Sequence, residues 1–385
     1  MKRAVVAGSL TLDITMVMDP DNPHSAGPLF RQGKLTFIDG VRFYLGGCVG
    51  NTGLAMRRLG VPVRLISKIG EDDAAGIITA ILASEDADAR IQTDAIRGSA
   101  CGIALTPPGQ DKISFFCRGA SQYFRAEDLD GDALAGASLF HFGYPTAMPT
   151  MYENGGAELE RVLNKVKRAG LAVSLDTSLP DILSDAARAD WPGILERCLP
   201  LIDLFAPSLE ELLFMLDREL YIKMLETAGK DDMLLHLEAD RVPELAGRCL
   251  ALGAGAVLVK AGRSGLYFRS KADAQGLAAL TGGADWLGRE LWRPAAQVDR
   301  IVSATGAGDT AIAGFLAALL NGDNPETALR LATQTALKCL GSGDTVSGIG
   351  PMAEMLAFPV PPALPLDLEP DWHWRTEDGL YVREA

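Results

Sequence analysis

Short apolar runs alternate with amphipathic runs along most of this chain, and no other feature limits the fold as much. Ala4–Gly8, Val63–Ile69, Ser138–Phe142, Leu171–Leu175, Leu201–Phe205 and Ala256–Val259 read as strands. Asn51–Leu59, Ala75–Ala83, Gly156–Ala169, Leu209–Leu216, Pro243–Leu252, Gly308–Asn321 and Pro325–Leu340 carry helical periodicity. Continuous apolar runs belong to strands buried on both faces, and parallel strands need helical crossovers. The pattern predicts an α/β fold, a central, mainly parallel sheet flanked by helices.

Two stretches break the rhythm. Val17–Leu45 is rich in Pro, Gly and Asp, and holds strand-like Lys34–Ile38 and Val41–Leu45 around Asp39-Gly40, a hairpin signal. Ile91–Phe116 alternates around a Pro107-Pro108-Gly109 turn. Both read as surface hairpins or as a small separate sheet, and the pattern leaves the choice open. Ser270–Ala296 is Gly/Ala-rich and aperiodic, and reads as a surface insertion. One domain over 1–358 is expected, with lid segments at about 17–45 and 91–120 inserted. A Pro-rich acidic tail, 359–385, follows, and Trp372 and Trp374 imply that it docks.

Charge and cysteine usage narrow the class. Lys and Arg total 36 against 50 Asp and Glu, a net charge of −14. Neutralising a phosphate backbone needs clustered cations, so no nucleic-acid partner is expected. No apolar run approaches the ~20 residues that span a bilayer, so no membrane partner is expected either. Asp13 interrupts the first apolar stretch too early for a signal peptide. The six cysteines form no C-x-x-C pair, and with four histidines a structural metal is not expected. The protein is read as cytoplasmic with reduced thiols.

The sharpest chemistry lies in Ser303-Ala304-Thr305-Gly306-Ala307-Gly308-Asp309, which runs into an Ala-rich helix. Glycines around one small residue let backbone N–H groups converge, and the helix adds its positive dipole end. Such a hole stabilises developing negative charge. Asp309 at its mouth is a candidate general base. Alone, the segment is equally a tight turn with a first-turn aspartate. A second glycine turn, Gly46-Gly47, precedes Asn51, whose amide both donates and accepts. Asp13 follows the first strand, where open α/β sheets bind ligands.

With these residues in view, the sequence resembles the PfkB (ribokinase-like) family of sugar and nucleoside kinases. Gly46-Gly47 with Asn51, and Thr305-Gly306-Ala307-Gly308-Asp309 with Gly314, carry the resemblance. Weaker segments follow in the family's order: Gly8 to Asp13, Ile69-Gly70-Glu71-Asp72, Asp176, Pro207-Ser208-Leu209-Glu210-Glu211, and Lys260-Ala261-Gly262-Arg263-Ser264-Gly265.

The resemblance implies a ribokinase-like fold with a β lid, and ATP-dependent phosphorylation of an alcohol. It makes Asp309 the base and the amides of Gly306, Ala307 and Gly308 the anion hole. Asp13, Gly46, Gly47 and Asn51 match acceptor-binding positions. Ser208, Glu211, Lys260, Gly262, Gly265 and Thr305 match the ATP side. Adenine is expected along Ala336 to Gly343, which includes Gly341. Mg²⁺ is implied with ATP, held by Glu211 through water. The lid implies a possible homodimer.

The chain also departs from the family. Ser208 stands where an asparagine is usual, and Ser303 replaces an aspartate tied to monovalent cations, which puts potassium activation in doubt. Lys260 replaces a threonine; it reads either as a phosphate contact or as a surface lysine at a strand end. Arg118, where lid meets core, is a candidate clamp for an anionic acceptor or a surface arginine. His141 reads as a buried, hydrogen-bonded residue. The expected activity is a sugar or sugar-acid kinase. A nucleoside kinase and a non-catalytic sensor on the same fold are the alternatives. A Rossmann dehydrogenase lacks its G-x-G-x-x-G after the first strand.

Overall fold

The computed structural model describes residues 1–17, 33, 35, 37–105, 113–130, 132–232, 237 and 240–383. The strands, in chain order, are β1 (Ala4–Gly8), β2 (Thr11–Val17), β3 (Gly40–Gly46), β4 (Val63–Gly70), β5 (Asp88–Asp94), β6 (Cys101–Leu105), β7 (Ile113–Cys117) and β8 (Leu139–Gly143). They continue with β9 (Ala172–Asp176), β10 (Leu204–Phe205), β11 (Ala256–Lys260), β12 (Leu266–Ser270), β13 (Glu290–Arg293), β14 (Trp372–Arg375) and β15 (Leu380–Arg383).

Eleven of them form one sheet in the order β14-β15-β13-β12-β11-β10-β9-β8-β1-β4-β5. From β11 to β5 every neighbouring pair is parallel. From β11 to β14 every pair is antiparallel. β1, β8 and β9 are buried along their whole length, as expected for strands covered on both faces. One apolar cluster holds Val5, Phe140, Leu163, Leu213 and Val257; the other holds Val6, Leu65, Leu258, Phe315 and Leu331. Alternate side chains of the same strands thus fill opposite layers.

Helix ends follow local chemistry. Asp72 caps Asp73–Ser84 through the Ala75 amide, and Asn324 caps Pro325–Leu340 with Pro325 in the first turn. Val49–Gly53 is a π-helical turn running into the short helix Leu54–Arg58.

The remaining four strands make a separate sheet, β3-β2-β6-β7. Val41–Leu45 lies in β3, which pairs with β2 over seven residues, with Val17 opposite Gly40. Lys34, Thr36 and the Pro107-Pro108-Gly109 turn lie outside the described residues.

Ser270–Ala296 is not a surface insertion. It supplies the helix Gln275–Thr281 and β13, with Leu277, Trp286, Leu291 and Trp292 buried. Trp286 packs edge-on against Phe268 and Phe315, at centroid distances of 5.7 and 5.5 Å. Beyond residue 359 the chain adds β14 and β15 at the sheet edge, where Trp372 packs against Trp292 and Tyr267.

Candidate active site

Four adjacent parallel strands, β8 to β11, bring their carboxyl ends side by side. Tyr144 follows β8, Asp176 ends β9, Ser208 follows β10 and Lys260 ends β11. The lid strands β2 and β3 lead away from the same edge, and Asn51 lies just beyond β3. The edge of an open α/β sheet at its strands' carboxyl ends is where ligands bind.

Asp309 sits in the first turn of the Ala307–Asn321 helix and is 6% exposed. Asn51 Nδ2 donates to its Oδ2 at 3.0 Å, and Thr52 Oγ1 donates to its Oδ1 at 3.3 Å. The Tyr144 phenol donates to both oxygens, at 2.6 and 2.7 Å. Burial pushes the Asp309 carboxyl above its ordinary range, while Tyr144, Lys260, Asn51 and Thr52 pull it back. Burial, followed by the nearby Asp309 and Asp176 charges, pushes both the Tyr144 phenol and the Cys48 thiol well up.

The glycine turn differs from the sequence reading at one amide. Gly306 is left-handed at φ 82° and stands as the helix N-cap. Its turn directs the Ala307 N–H back to the Ala304 carbonyl at 3.3 Å, so that amide is engaged within the turn. The N–H groups of Gly306 and Gly308 have no acceptor among the described residues. They stand at the positive end of the helix dipole, an arrangement that can hold an anion. A Cβ on Gly306 would lie 2.3 Å from Thr345 Cγ2, which ties this turn to the segment after Gly341.

Lys260 is not a surface lysine. Its side chain is 12% exposed, and Nζ meets Asp176 Oδ1 at 2.5 Å. Its stem lies beside Gly308, where an added Cβ would meet Lys260 Cδ at 3.3 Å. Burial opposes the lysine's charge, but Asp176, Glu211 and Asp309 around it hold its pKa above the ordinary value. Burial pushes Asp176 up, against the pull of Lys260. The ammonium is thus the counter-charge for three carboxylates.

Glu211 Oε2 accepts from Thr177 Oγ1 at 2.7 Å and from the Ser208 N–H at 2.8 Å. In return, Ser208 Oγ accepts from the Glu211 N–H at 3.2 Å, which completes the cap. Ser208 is therefore fixed as a helix cap, with its hydroxyl engaged.

On the acceptor side, Asp13 accepts from Thr11 Oγ1 at 2.9 Å. Gly46 and Gly102 both lie close against it, and a Cβ on Gly46 would fall 2.2 Å from Asp13 Oδ2. Gly47 is left-handed at φ 72° and packs on the Ser9 carbonyl. A side chain at Gly46 or Gly47 would collide with these neighbours. Arg118 is exposed just after β7, makes no ion pair among the described residues, and lies close enough to Tyr152 for its charge to act there.

On the other side, Gly262 and Gly265 shape the turn between β11 and β12. Gly265 abuts the Arg293 carbonyl of β13, where a Cβ would sit at 2.1 Å. Thr305 is exposed beside the Pro325–Leu340 helix, and its carbonyl accepts from Cys339 Sγ at 3.3 Å. Gly341 caps that helix.

His141 is buried, with Nδ1 3.0 Å from Ser174 Oγ and no partner on Nε2. Burial pushes its pKa down to about 3, so it is a neutral core residue. Tyr144, Asp176 and Thr52 join the site although sequence reasoning did not assign them to it. Only the position of Tyr144 and Asp176 after predicted strands could have flagged them.

The family model described as pfkB family carbohydrate kinase matches residues 3–349. A fructokinase from Klebsiella pneumoniae is 29% identical over 300 residues, covering 76% of this chain and 82% of that protein. A 2-dehydro-3-deoxygluconokinase from Bacillus subtilis is 24% identical over 325 residues, covering 81% of this chain and 85% of that protein. Among solved structures, Arabidopsis thaliana ribokinase complexed with ribose and ATP superposes with a TM-score of 0.67 at 19% identity, covering 93% of this chain and 100% of the other. Thermotoga maritima ribokinase gives 0.64 at 19%, covering 93% and 98%. The superpositions establish a ribokinase-like fold. With the family match across nearly the whole sequence, the chain belongs to the pfkB family of carbohydrate kinases, phosphotransferases that act on an alcohol group.

Proposed function

We propose that this protein transfers the γ-phosphoryl group of ATP to a hydroxyl of a sugar or sugar acid, with Asp309 as the general base. The observation that carries the reading is a buried carboxylate one turn into a helix, next to the open amides of Gly306 and Gly308. The acceptor hydroxyl gives its proton to Asp309 as its oxygen bonds to the γ-phosphorus. The bond from that phosphorus to the β–γ bridging oxygen breaks, and ADP leaves with the electron pair. Phosphoryl transfer depends mainly on positioning and charge stabilisation. Gly306, Gly308 and the Lys260 ammonium supply that charge. A base pushed up by burial is better matched to neutral pH than an ordinary aspartate.

Asp13, cradled by Gly46 and Gly102, is suited to accept from acceptor hydroxyls. Arg118 is the candidate clamp for an acidic acceptor. The relatives named fructokinase and 2-dehydro-3-deoxygluconokinase favour a sugar over a nucleoside. An Escherichia coli structure of this fold is described as a complex with ATP and Mg²⁺. Here Glu211 fits a water-mediated role toward that ion, because only its Oε2 is engaged among the described residues. The ion would neutralise phosphate charge.

The test is ADP release from Mg-ATP against sugars, sugar acids and nucleosides. Acceptor-dependent turnover should fall about 10²–10⁴-fold in Asp309→Asn while ATP binding persists. Wild-type turnover in that variant removes Asp309 as the base, and turnover with nucleosides alone removes the sugar assignment.

A further inference from the structure

Asp309 has no room for an acceptor as it stands. A carboxylate offers about four lone-pair directions. Asn51 takes one on Oδ2, Thr52 takes one on Oδ1, and the Tyr144 phenol, sharing its one proton between the two oxygens, covers one on each. The phenol oxygen sits in the fork of the carboxylate, where a hydroxyl about to lose its proton would sit. An acceptor can engage Asp309 only if one donor leaves. Asn51 and Thr52 are 6% and 0% exposed and project from the turn beneath Asp309. Tyr144 is half-buried.

The backbone of Tyr144 is pinned. It is a non-glycine residue at φ 67°, ψ 47°, a conformation that persists only where its surroundings hold it. Its N–H donates to the Asp176 carbonyl at 3.3 Å, and its carbonyl accepts from the Ala147 N–H at 2.9 Å. Gly143 before it is pressed against Cys48, where a Cβ would lie 2.3 Å from Sγ. To free the carboxylate, the side chain has to turn while the loop stays in place.

We propose that Tyr144 is a place-holder for the acceptor hydroxyl. Its phenol closes Asp309 while the acceptor is absent, and the acceptor must displace it. The inference rests on Asp309 being the base. With the fork filled, a water molecule cannot lodge there, give its proton to Asp309 and attack the γ-phosphorus to yield inorganic phosphate and ADP. The tyrosine thus sets the preference for an alcohol over water.

The test is Tyr144→Phe, which keeps the ring and removes the oxygen, with Tyr144→Met as a second variant of similar bulk. ADP and phosphate release from Mg-ATP without acceptor should rise about tenfold, and acceptor KM should fall about tenfold, moving more than kcat. Adding Asp309→Asn should abolish the gained hydrolysis. If both Tyr144 variants fold and leave hydrolysis and KM at wild-type values while Asp309→Asn is inactive, Tyr144 is only structural and the base stands. A collapse of kcat at unchanged KM also overturns the place-holder, because the phenol would then act in the transfer itself. If Asp309→Asn turns over like wild type, the base reading fails and the place-holder fails with it.

Discussion

Replacing Lys260 by methionine would leave the Asp176 carboxylate buried with no cation against it. In the native protein the pair meets at 2.5 Å, with side-chain exposures of 12% and 2%. Removing one partner of such a pair costs about 3–5 kcal/mol. Asp176 has one escape, which is to take up a proton. Protonating a group whose unfolded pKa is about 3.9 costs about 1.4 kcal/mol per pH unit above that value. That cost is about 4 kcal/mol at pH 7 and about 1.5 kcal/mol at pH 5, and because the folded pKa of Asp176 is raised to about 8 even beside Lys260, the wild type bears it as well below that pH.

The sign follows from proton counting. Burial raises the folded-state pKa of Asp176 to about 8 even beside the lysine, and further without it. Below that pH both folded proteins hold a proton the unfolded chain has lost, and both lose stability in parallel as pH rises from about 4. Above about pH 8 the wild-type carboxyl ionises beside Lys260 and its loss ends, while the variant goes on losing stability toward its higher folded pKa. Denaturant midpoints at pH 6, 7, 8 and 9 should show a deficit that is level up to about pH 8 and widens above it. Adding Asp176→Asn should recover most of the loss and flatten the pH dependence. A deficit that stays level above pH 8, or a double variant no better than the single, would refute the reasoning.

Gly306→Ala combines a left-handed residue with a Cβ 2.3 Å from Thr345 Cγ2. It should cost about 1–2 kcal/mol of stability and lower kcat by about 10²–10³-fold through the displaced amides; steady-state rates beside a melting curve separate the two, and a normal kcat would remove Gly306 from the anion site. Trp372→Ala strips the aromatic cluster with Trp292 and Tyr267. It should cost about 3–5 kcal/mol, read as an earlier melting transition; an unchanged one would mean that the β14–β15 hairpin contributes nothing to the core.

Much of this was legible from residues because local and global signals agree. Pro325–Leu340 has the predicted bounds, since Asn324, Pro325 and an apolar stripe all point the same way. Asp309 and Asn51 were found because glycine turns at strand-to-helix junctions have few uses. What the sequence hid depends on distant partners. Ser270–Ala296 reads as loop by composition, yet Trp286 is fixed by Phe268 and Phe315. The pairing of β3 with β2 joins segments far apart in sequence, which no local turn signal announces. Lys260 was ambiguous because its partner lies 84 residues away. Tyr144 looked like the end of a strand, and only the meeting of β8 with the Ala307–Asn321 helix makes it a donor to Asp309.

The edge hairpin has a consequence for how the protein comes into being. β13 pairs early with β12 on one side, but its outer partner β15 comes only at the end of the chain; Arg293 waits for the Asp378 carbonyl 85 residues on. Until then Leu291 and Trp292 sit on an open sheet edge, a template for pairing with another nascent chain. The late hairpin brings Arg375 and Arg383, which pair with Glu326 and Glu290 in the body. Once docked, it places charge along the outermost strand. Interval and edge together make the arrival of the hairpin the step that closes the β13 edge.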